Sequence, residues 1–179
     1  MVNADKSCLV VIDVQEKLAA VMHESAKMVS NCAILVQIAR TLNIPLLWCQ
    51  QYPQGIGPTV EPLRMHLSDI EPINKQCFSC CAHPDFSARL EHLNVETAIL
   101  CGIETHVCVF QTAMDLMQQG LYVHIIADAV ASRKPDNTQI GLARLAAAGA
   151  IISSTEMFLF ELLRTAEHPH FKTLSKLIR

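Results

Sequence analysis

The chain has 179 residues, of which 51% are hydrophobic and only 17% charged, and its formal net charge is -3. A chain of this length most simply forms one domain, here residues 1–179, that is large enough to bury a core. The charge and the lack of a basic block argue against nucleic acid or an anionic membrane surface as a partner. No apolar run approaches the roughly 20 residues that span a bilayer.

Strand-like apolar runs alternate with helical patterns along the chain, which predicts parallel strands joined by right-handed crossovers. We therefore predict an α/β fold, a single three-layer α/β/α domain with a doubly wound, mainly parallel sheet of about six strands. The predicted strands are residues 7–13, 45–50, a short strand leading to Lys75, 97–101, 122–127 and 150–153. The predicted helices are residues 24–42, 61–67, 84–93, 105–119 and 136–148, with further helices from Thr155 and from Pro169.

The eight cysteines lie within these apolar strands and helices. This placement favours free thiols in a reducing cytoplasm over the disulfides of a small secreted chain. Residues 1–6 lead directly into the first strand and lack the pattern of a signal peptide, so we expect a cytoplasmic protein. The high apolar fraction and the low charge also favour a homo-oligomer, either a dimer or a larger assembly.

The segment from Leu100 to Val109 combines a strand, a tight turn and a cysteine. An apolar run breaks at Gly102 and then continues as a helical pattern. Thr105 is a suitable N-cap and places Cys108 at the third helical position, where backbone N–H groups and the helix dipole lower the pKa of a thiol. Cys108 is therefore a candidate nucleophile, and the alternative is a buried cysteine that acts as a small hydrophobic residue.

Three features along the chain belong together. An apolar strand ends in Asp-x-Gln at residues 13–15, Lys75 lies further along, and the segment 102–109 reads Gly-x-x-Thr-x-x-Cys-Val. In these three features the chain resembles the isochorismatase-like cysteine hydrolases. The similarity covers about residues 8–155. It implies a chemistry more clearly than it implies a substrate.

Asp13 ends the first predicted strand, Lys75 follows a short one and Cys108 follows the strand that ends near Cys101. In open α/β sheets, ligands bind beyond the carboxyl ends of the strands, so all three are expected at one edge. The resemblance implies that they form a catalytic triad. In it Cys108 is the nucleophile, Asp13 takes the thiol proton and returns it to the leaving group, and Lys75 stabilises thiolate and carboxylate. Taken singly, Asp13 could instead cap the following turn, and Lys75 could be a solvated surface charge.

The family also has a non-proline cis peptide bond before the motif's threonine, which by position falls between Ile103 and Glu104. The resemblance implies that this bond turns backbone N–H groups, those of Glu104 and Cys108, toward an oxyanion.

Amidase relatives in the family bind a metal through an Asp-x-His pair after the second strand. Here that place reads Cys-Gln-Gln-Tyr-Pro at residues 49–53, without either ligand. We therefore expect no metal and no other cofactor. The candidate substrate-pocket residues are Gln15, Gln50, Gln51, Tyr52, Phe78 and Thr105.

Cys77, Cys80 and Cys81 have a spacing that resembles redox or metal sites. A single cluster with only His83 nearby is a weak zinc signal, and buried or half-buried thiols are the alternative. His106, within the signature, is either a second base or pocket wall or a partly exposed histidine at a helix start.

The leading hypothesis is a metal-independent cysteine hydrolase that acts on a small amide or ureide-type C–N bond of a small-molecule substrate. The alternative is a catalytically vestigial member of the family that serves as an interaction or scaffold protein, and the intact Asp13, Lys75 and Cys108 argue against it. A thiol redox protein is a third hypothesis, which the absence of a Cys-x-x-Cys at a helix start argues against.

Overall fold

The computed structural model describes residues 2 to 178 and is built around one sheet. The strands are β1 (Ser7–Ile12), β2 (Leu46–Gln51), β3 (Ile73–Lys75), β4 (Thr97–Ile103), β5 (Tyr122–Ala131) and β6 (Ile151–Ser153). They form a six-stranded sheet in the order β3-β2-β1-β4-β5-β6, and each neighbouring pair is parallel. The predicted doubly wound parallel sheet is therefore confirmed.

Helices cover both faces of this sheet, which confirms the three layers. The α-helices of residues 2–178 are α1 (Glu16–Ala19), α2 (Ser25–Thr41), α3 (Pro53–Ile56), α4 (Glu61–Arg64), α5 (Pro84–Leu93), α6 (Phe110–Gln118), α7 (Pro135–Ala147), α8 (Thr155–Leu163) and α9 (Phe171–Leu174). Helices α2 and α8 pack on one face, and α5, α6 and α7 pack on the other. Within the described residues, no helix combines the length and the apolar character needed to cross a membrane.

The central strand β1 shows why the sequence of this fold is so apolar. All six of its residues are buried. Leu9 and Val11 contact the layer that contains α2, whereas Cys8, Val10 and Ile12 belong to the opposite layer. A strand that is covered on both faces requires a continuous apolar run instead of an alternating one.

Strand β1 ends one residue earlier than predicted. Asp13 has a φ of 54°, in the left-handed region that aspartate tolerates better than most residues, so the chain leaves the sheet here. Its N–H still donates to the carbonyl oxygen of Cys49 at 3.1 Å. This bond holds the Asp13 backbone against β2. Because Asp13 lies outside the strand, its side chain does not have to follow the alternation of β1 between the two faces of the sheet.

Strands β4 and β5 run further than predicted, to Ile103 and Ala131. The register of the β4–β5 pair shifts between Leu100 and Gly102, and pairing resumes beyond this irregularity. Gly102 has a φ of 119°, and a Cβ atom there would overlap the carbonyl oxygen of Ile12. The glycine that was predicted to end the strand is thus the residue that allows β4 to approach β1 closely beneath the site.

Two helices are shorter than predicted. The helix expected at residues 61–67 is the single turn α4, and the helix expected from Pro169 is the single turn α9. Leu63 and Leu174 are buried within these single turns, and Leu67 is buried in the irregular turns that follow α4. Burial of Leu67 therefore does not require a longer helix.

Candidate active site

The strand order reverses between β1 and β4, which are neighbours in the sheet but distant in the chain. At such a point the connections leave on opposite faces and open a crevice beyond the carboxyl ends of the strands. Asp13 follows β1, Lys75 ends β3, and Cys108 lies in the turn after β4. The structure brings these three side chains together at this edge.

Lys75 and Asp13 form an ion pair in which both side chains are fully buried, with 2.7 Å between Nζ and Oδ2. The ammonium also donates to Gln51 Oε1 at 2.7 Å and to the carbonyl oxygens of Cys77 and Phe78 at 3.2 and 3.1 Å. A buried charge is costly unless it is paired and hydrogen-bonded. Lys75 meets both conditions and is not the solvated surface charge considered as an alternative.

The Asp13 carboxyl group is subject to opposing effects. Burial raises its pKa and outweighs the lowering by Lys75 and by the neighbouring Cys108 thiol, so the pKa lies above its usual range. For Lys75, burial alone would lower the pKa. The Asp13 carboxylate and nearby thiols together have a larger, opposite effect, so the Lys75 pKa lies above its usual range. The second carboxyl oxygen, Asp13 Oδ1, has no hydrogen-bond partner among residues 2–178. It is therefore free to accept a proton.

The Cys108 thiol is almost covered, with 7% of the residue exposed. Its pKa is raised, first by burial and then by the charge of Asp13, against a smaller lowering by Lys75. The prediction that a helix terminus lowers the pKa of Cys108 is therefore wrong, because burial and the Asp13 carboxylate have the larger effect and raise this pKa. The raised pKa favours the neutral thiol beside Asp13.

Cys108 lies in a π-helical turn, Thr105–Val109, that leads into α6, and not in the first turn of an α-helix. The N–H of Val109 donates to the carbonyl oxygen of Glu104, five residues back, at 3.2 Å. Thr105 is not the N-cap, since that position belongs to Glu104. The Thr105 side chain is fully buried, and its hydroxyl has no hydrogen-bond partner in the described part of the chain.

The peptide bond between Ile103 and Glu104 is cis, the isomer that the family resemblance implied at this place. The carboxylate of Glu104 accepts hydrogen bonds from the N–H and the Nε of Arg133, at 3.1 and 3.2 Å. The side chain of Glu104 is thus held by the segment that follows β5.

The first two candidate pocket residues, Gln15 and Gln50, have structural contacts that the sequence did not indicate. Gln15 Nε2 donates to the carbonyl oxygens of Gln51 and Gly57 at 2.9 and 2.7 Å, and its Oε1 accepts from the Gln51 N–H at 2.8 Å. Gln50 Oε1 accepts from the N–H and hydroxyl of Thr59 at 3.0 and 3.2 Å. Both amides hold the segment that follows β2 in place.

The other candidates on this side of the site surround Lys75. Gln51 contacts the ion pair directly, and its Nε2 donates to the carbonyl oxygen of Gln76 at 2.8 Å. The Tyr52 N–H donates to the carbonyl oxygen of Lys75 at 2.9 Å. Tyr52 and Phe78 are 49% and 53% exposed. Both residues therefore contact Lys75 through their backbones while their side chains are open to solvent.

Comparisons with known proteins agree with this architecture. A family model described as the isochorismatase domain matches residues 7–157. The chain belongs to the isochorismatase family. It is 37% identical over 176 residues to isochorismatase domain-containing protein 2A of Mus musculus, a match that covers 98% of this chain and 84% of that protein.

Solved structures show the same isochorismatase-like fold. The structure described as the MAR1 ribonuclease of Caenorhabditis elegans superposes with a TM-score of 0.93 at 38% identity, covering 99% of this chain and 91% of that one. The YcaC gene product of Escherichia coli, described as an octameric hydrolase of unknown specificity, superposes with a TM-score of 0.93 at 22% identity. That match covers 99% of this chain and 88% of the other.

Sequence reasoning missed the contribution of the segment after β5 to this isochorismatase-family site. His106 Nδ1 lies 3.0 Å from Ser132 Oγ, and His106 Nε2 lies 3.3 Å from Asn137 Nδ2. Since β5 pairs with β4, its carboxyl end also points to the site edge, and this rule could have indicated the segment.

The remaining cysteines near the site do not form a metal centre. Cys80 is fully buried, while Cys77 and Cys81 are half-buried. Burial raises the pKa of the Cys81 thiol to about 12. Within residues 2–178, no group of three or more His, Cys, Asp or Glu side chains is arranged to hold a metal ion.

Proposed function

We propose that this chain is a metal-independent cysteine hydrolase that acts on a small amide or ureide-type C–N bond. The observation that carries the proposal is the buried Lys75–Asp13 ion pair with the Cys108 thiol beside it. A purely structural protein gains little from such a pair, because apolar replacements of a buried ion pair are often neutral or stabilising. Charges buried next to a thiol in a sheet-edge crevice are typical of a nucleophile with its base.

In the proposed reaction, the Asp13 carboxylate takes the proton of the Cys108 thiol as Sγ bonds to the carbonyl carbon of the substrate. The backbone N–H groups of Glu104 and Cys108 donate to the resulting oxyanion. Asp13 then returns the proton to the leaving nitrogen as the C–N bond breaks. Asp13 then takes a proton from water as its oxygen bonds to the acyl carbon, and it returns that proton to Sγ as the C–S bond breaks, which regenerates the thiol. Lys75 keeps its charge throughout and holds the carboxylate in place.

A raised thiol pKa suits this mechanism. A neutral thiol is less costly to bury than a thiolate, and the intrinsic nucleophilicity of a thiolate increases with its pKa. The pKa of the accepting Asp13 carboxyl is raised as well, which favours transfer of the proton from Cys108. The two groups should therefore titrate as a coupled unit.

A screen for ammonia release tests the proposed reaction. Purified protein is incubated with a panel of small aliphatic amides, aromatic amides and ureides, and we expect release from at least one of them. Cys108→Ala should abolish this release, whereas Cys81→Ala, which removes another thiol near the site, should preserve it. Release that never exceeds the Cys108→Ala background contradicts the proposal.

The raised pKa of Asp13 predicts the acid limb of the pH profile. We expect kcat/KM to fall as the pH drops through the Asp13 pKa, because protonation removes the base. The midpoint should lie above the ordinary aspartate value of about 3.9. Lys75→Met should move it higher still, since the ammonium is the charge that lowers this pKa. A midpoint at or below the ordinary value, or one unmoved in the variant, argues against Asp13 as the base.

We expect hydrolysis to survive exhaustive dialysis against EDTA. The reason is the sequence at residues 49–53, which has neither member of the family's Asp-x-His metal pair. Elemental analysis of the active protein provides the measurement. Stoichiometric zinc or iron that is lost together with activity would overturn this expectation.

A small molecule is the substrate class that the charges favour. The C. elegans relative is described as a ribonuclease, but RNA binding depends on cations that neutralise phosphates. This chain has a net charge of -3, and the two charges of its site are paired with each other. Labelled RNA added to the screen separates the two classes, because RNA cleavage that requires Cys108 and exceeds amide hydrolysis would favour a ribonuclease.

We also propose that the protein is a homo-oligomer. Large apolar side chains are exposed on the outer faces of helices, among them Ile140, Met157 and Phe160. The E. coli relative is described as octameric. Sedimentation velocity at micromolar concentration should give a mass that is a multiple of 19.8 kDa. A single species at the monomer mass would refute the proposal.

A further inference from the structure

The turn that contains Cys108 is held from outside by the segment that follows β5. π-Helical hydrogen bonds occur mostly as single turns, often at functional sites. Because a single turn is not extended by further hydrogen bonds of the same kind, the positions of its side chains depend on the segments packed against it. Besides α6 and β4, which adjoin it in the chain, Thr105–Val109 contacts Ser132 and the first two turns of α7.

The ring of His106 is fixed at both nitrogens. Its Nδ1 lies 3.0 Å from Ser132 Oγ, and its Nε2 lies 3.3 Å from Asn137 Nδ2. An amide nitrogen can only donate, so with this assigned orientation of the Asn137 amide, Nε2 accepts. The ring proton is then on Nδ1, which donates to Ser132 Oγ. His106 thus connects the turn both to the end of β5 and to the start of α7.

Gly141 brings the backbone of α7 against the same turn. A Cβ atom at this position would lie 3.2 Å from Thr105 Cγ2 and 3.3 Å from both Cα and N of His106. Gly141 is buried and lies four residues after Asn137, on the same face of the helix. A glycine inside a helix costs about 1 kcal/mol relative to alanine. A glycine at this position does not stabilise the helix. It allows α7 to approach the turn closely.

We propose that Ser132, Asn137 and Gly141 are positioning residues, which set the turn Thr105–Val109 so that the Cys108 thiol is aligned with Asp13. The proposal rests on the cysteine-hydrolase function proposed above. The three residues act through His106 and through the backbone of the turn. Proton transfer between thiol and carboxyl depends on alignment at the ångström scale, so a small displacement of the turn is enough to impair it.

Alkylation of Cys108 by iodoacetamide tests this without a known substrate. Rates are measured by peptide mapping from pH 5 to pH 9. In the parent, the rate should level off above the Asp13 pKa, because the carboxylate takes the thiol proton. In Asp13→Asn it should rise with hydroxide concentration over the whole range. We expect Asn137→Ala and Gly141→Ala to adopt this second profile, with a rate at pH 7 lower by about tenfold or more.

Two further variants separate positioning from general damage to the fold. Gln139→Ala, at an exposed position of α7, should keep the parent profile. Asn137→Asp should also stay close to it, because a carboxylate can accept from His106 Nε2–H once the ring proton moves, which preserves the bridge to Ser132. Thermal unfolding of each variant identifies any that do not fold, and the others then decide the question.

The outcomes are distinct. Parent-like profiles in folded Asn137→Ala and Gly141→Ala overturn the positioning role and leave the cysteine-hydrolase proposal intact. An equal change in Gln139→Ala overturns it too, because the effect would not be specific to the contacts with the turn. If Cys108 is inert in the parent itself, the hydrolase proposal fails and the positioning role fails with it.

Discussion

Replacing Lys75 by methionine is expected to lower the free energy of unfolding by about 3–5 kcal/mol, because it leaves the Asp13 carboxyl group buried without its counter-charge. Both side chains are fully buried. The change also leaves Gln51 Oε1 without the hydrogen bond it accepts from the ammonium. Asp13 can recover part of the cost by taking up a proton, so the destabilisation should be small in acid and grow as the pH rises through the Asp13 pKa of the variant. Urea unfolding at pH 5 and pH 8 measures both effects.

The control is an ion pair of the same type at the surface. Arg64 and Glu61 are paired across one helical turn with both side chains more than half exposed, and Arg64→Met should cost less than about 1 kcal/mol. The double variant Asp13→Leu with Lys75→Met should regain most of the lost stability, but it should show no hydrolysis because the proposed base is gone. If Lys75→Met is no more costly than Arg64→Met, Lys75 is not the counter-charge that stabilises the buried Asp13 carboxyl group.

Replacing Cys108 by serine is expected to reduce kcat/KM at least about 10³-fold with little change in KM. A hydroxyl group is a much weaker acid than a thiol, so Asp13 cannot deprotonate it during attack. Rapid acid quenching followed by intact-mass measurement should show a covalent thioester adduct in the parent protein during turnover. The adduct should be absent from Cys108→Ser.

Cys81→Ser provides the matched control, as it makes the same chemical change at a half-buried thiol near the site. It should keep near-parental kcat/KM and the adduct. Thermal unfolding verifies that both variants are folded. A Cys108→Ser protein that retains more than a tenth of the parent activity would exclude Cys108 as the nucleophile.

The placement of the site was predictable because strand ends are encoded locally. Buried parallel strands require continuous apolar runs, and the residue after such a run stands at the carboxyl edge of the sheet. Asp13 and Lys75 could therefore be assigned to one edge although 62 residues separate them. The same logic applied to β5 would have indicated Asp128, because the apolar run predicted an end at residue 127. Ser132 follows the observed end of the strand at Ala131.

The electrostatics and the local geometry were not predictable in this way. The pKa of Cys108 depends on its burial and on its distance to Asp13, neither of which a sequence pattern measures. The π-helical turn differs from an α-helix by one residue in the hydrogen-bond spacing, and apolar periodicity over five residues does not resolve that difference. His106 depends on partners 26 and 31 residues further along the chain.

The position of Lys75 has a consequence for heat sensitivity. Strand β3 has three residues, lies at the edge of the sheet and pairs with β2. Short edge strands open transiently at a lower free energy than central strands such as β1 and β4. Each such opening withdraws the ammonium while the rest of the sheet stays folded. We therefore expect warming to lower the proposed hydrolase activity reversibly, at temperatures where the circular dichroism of the protein is still native.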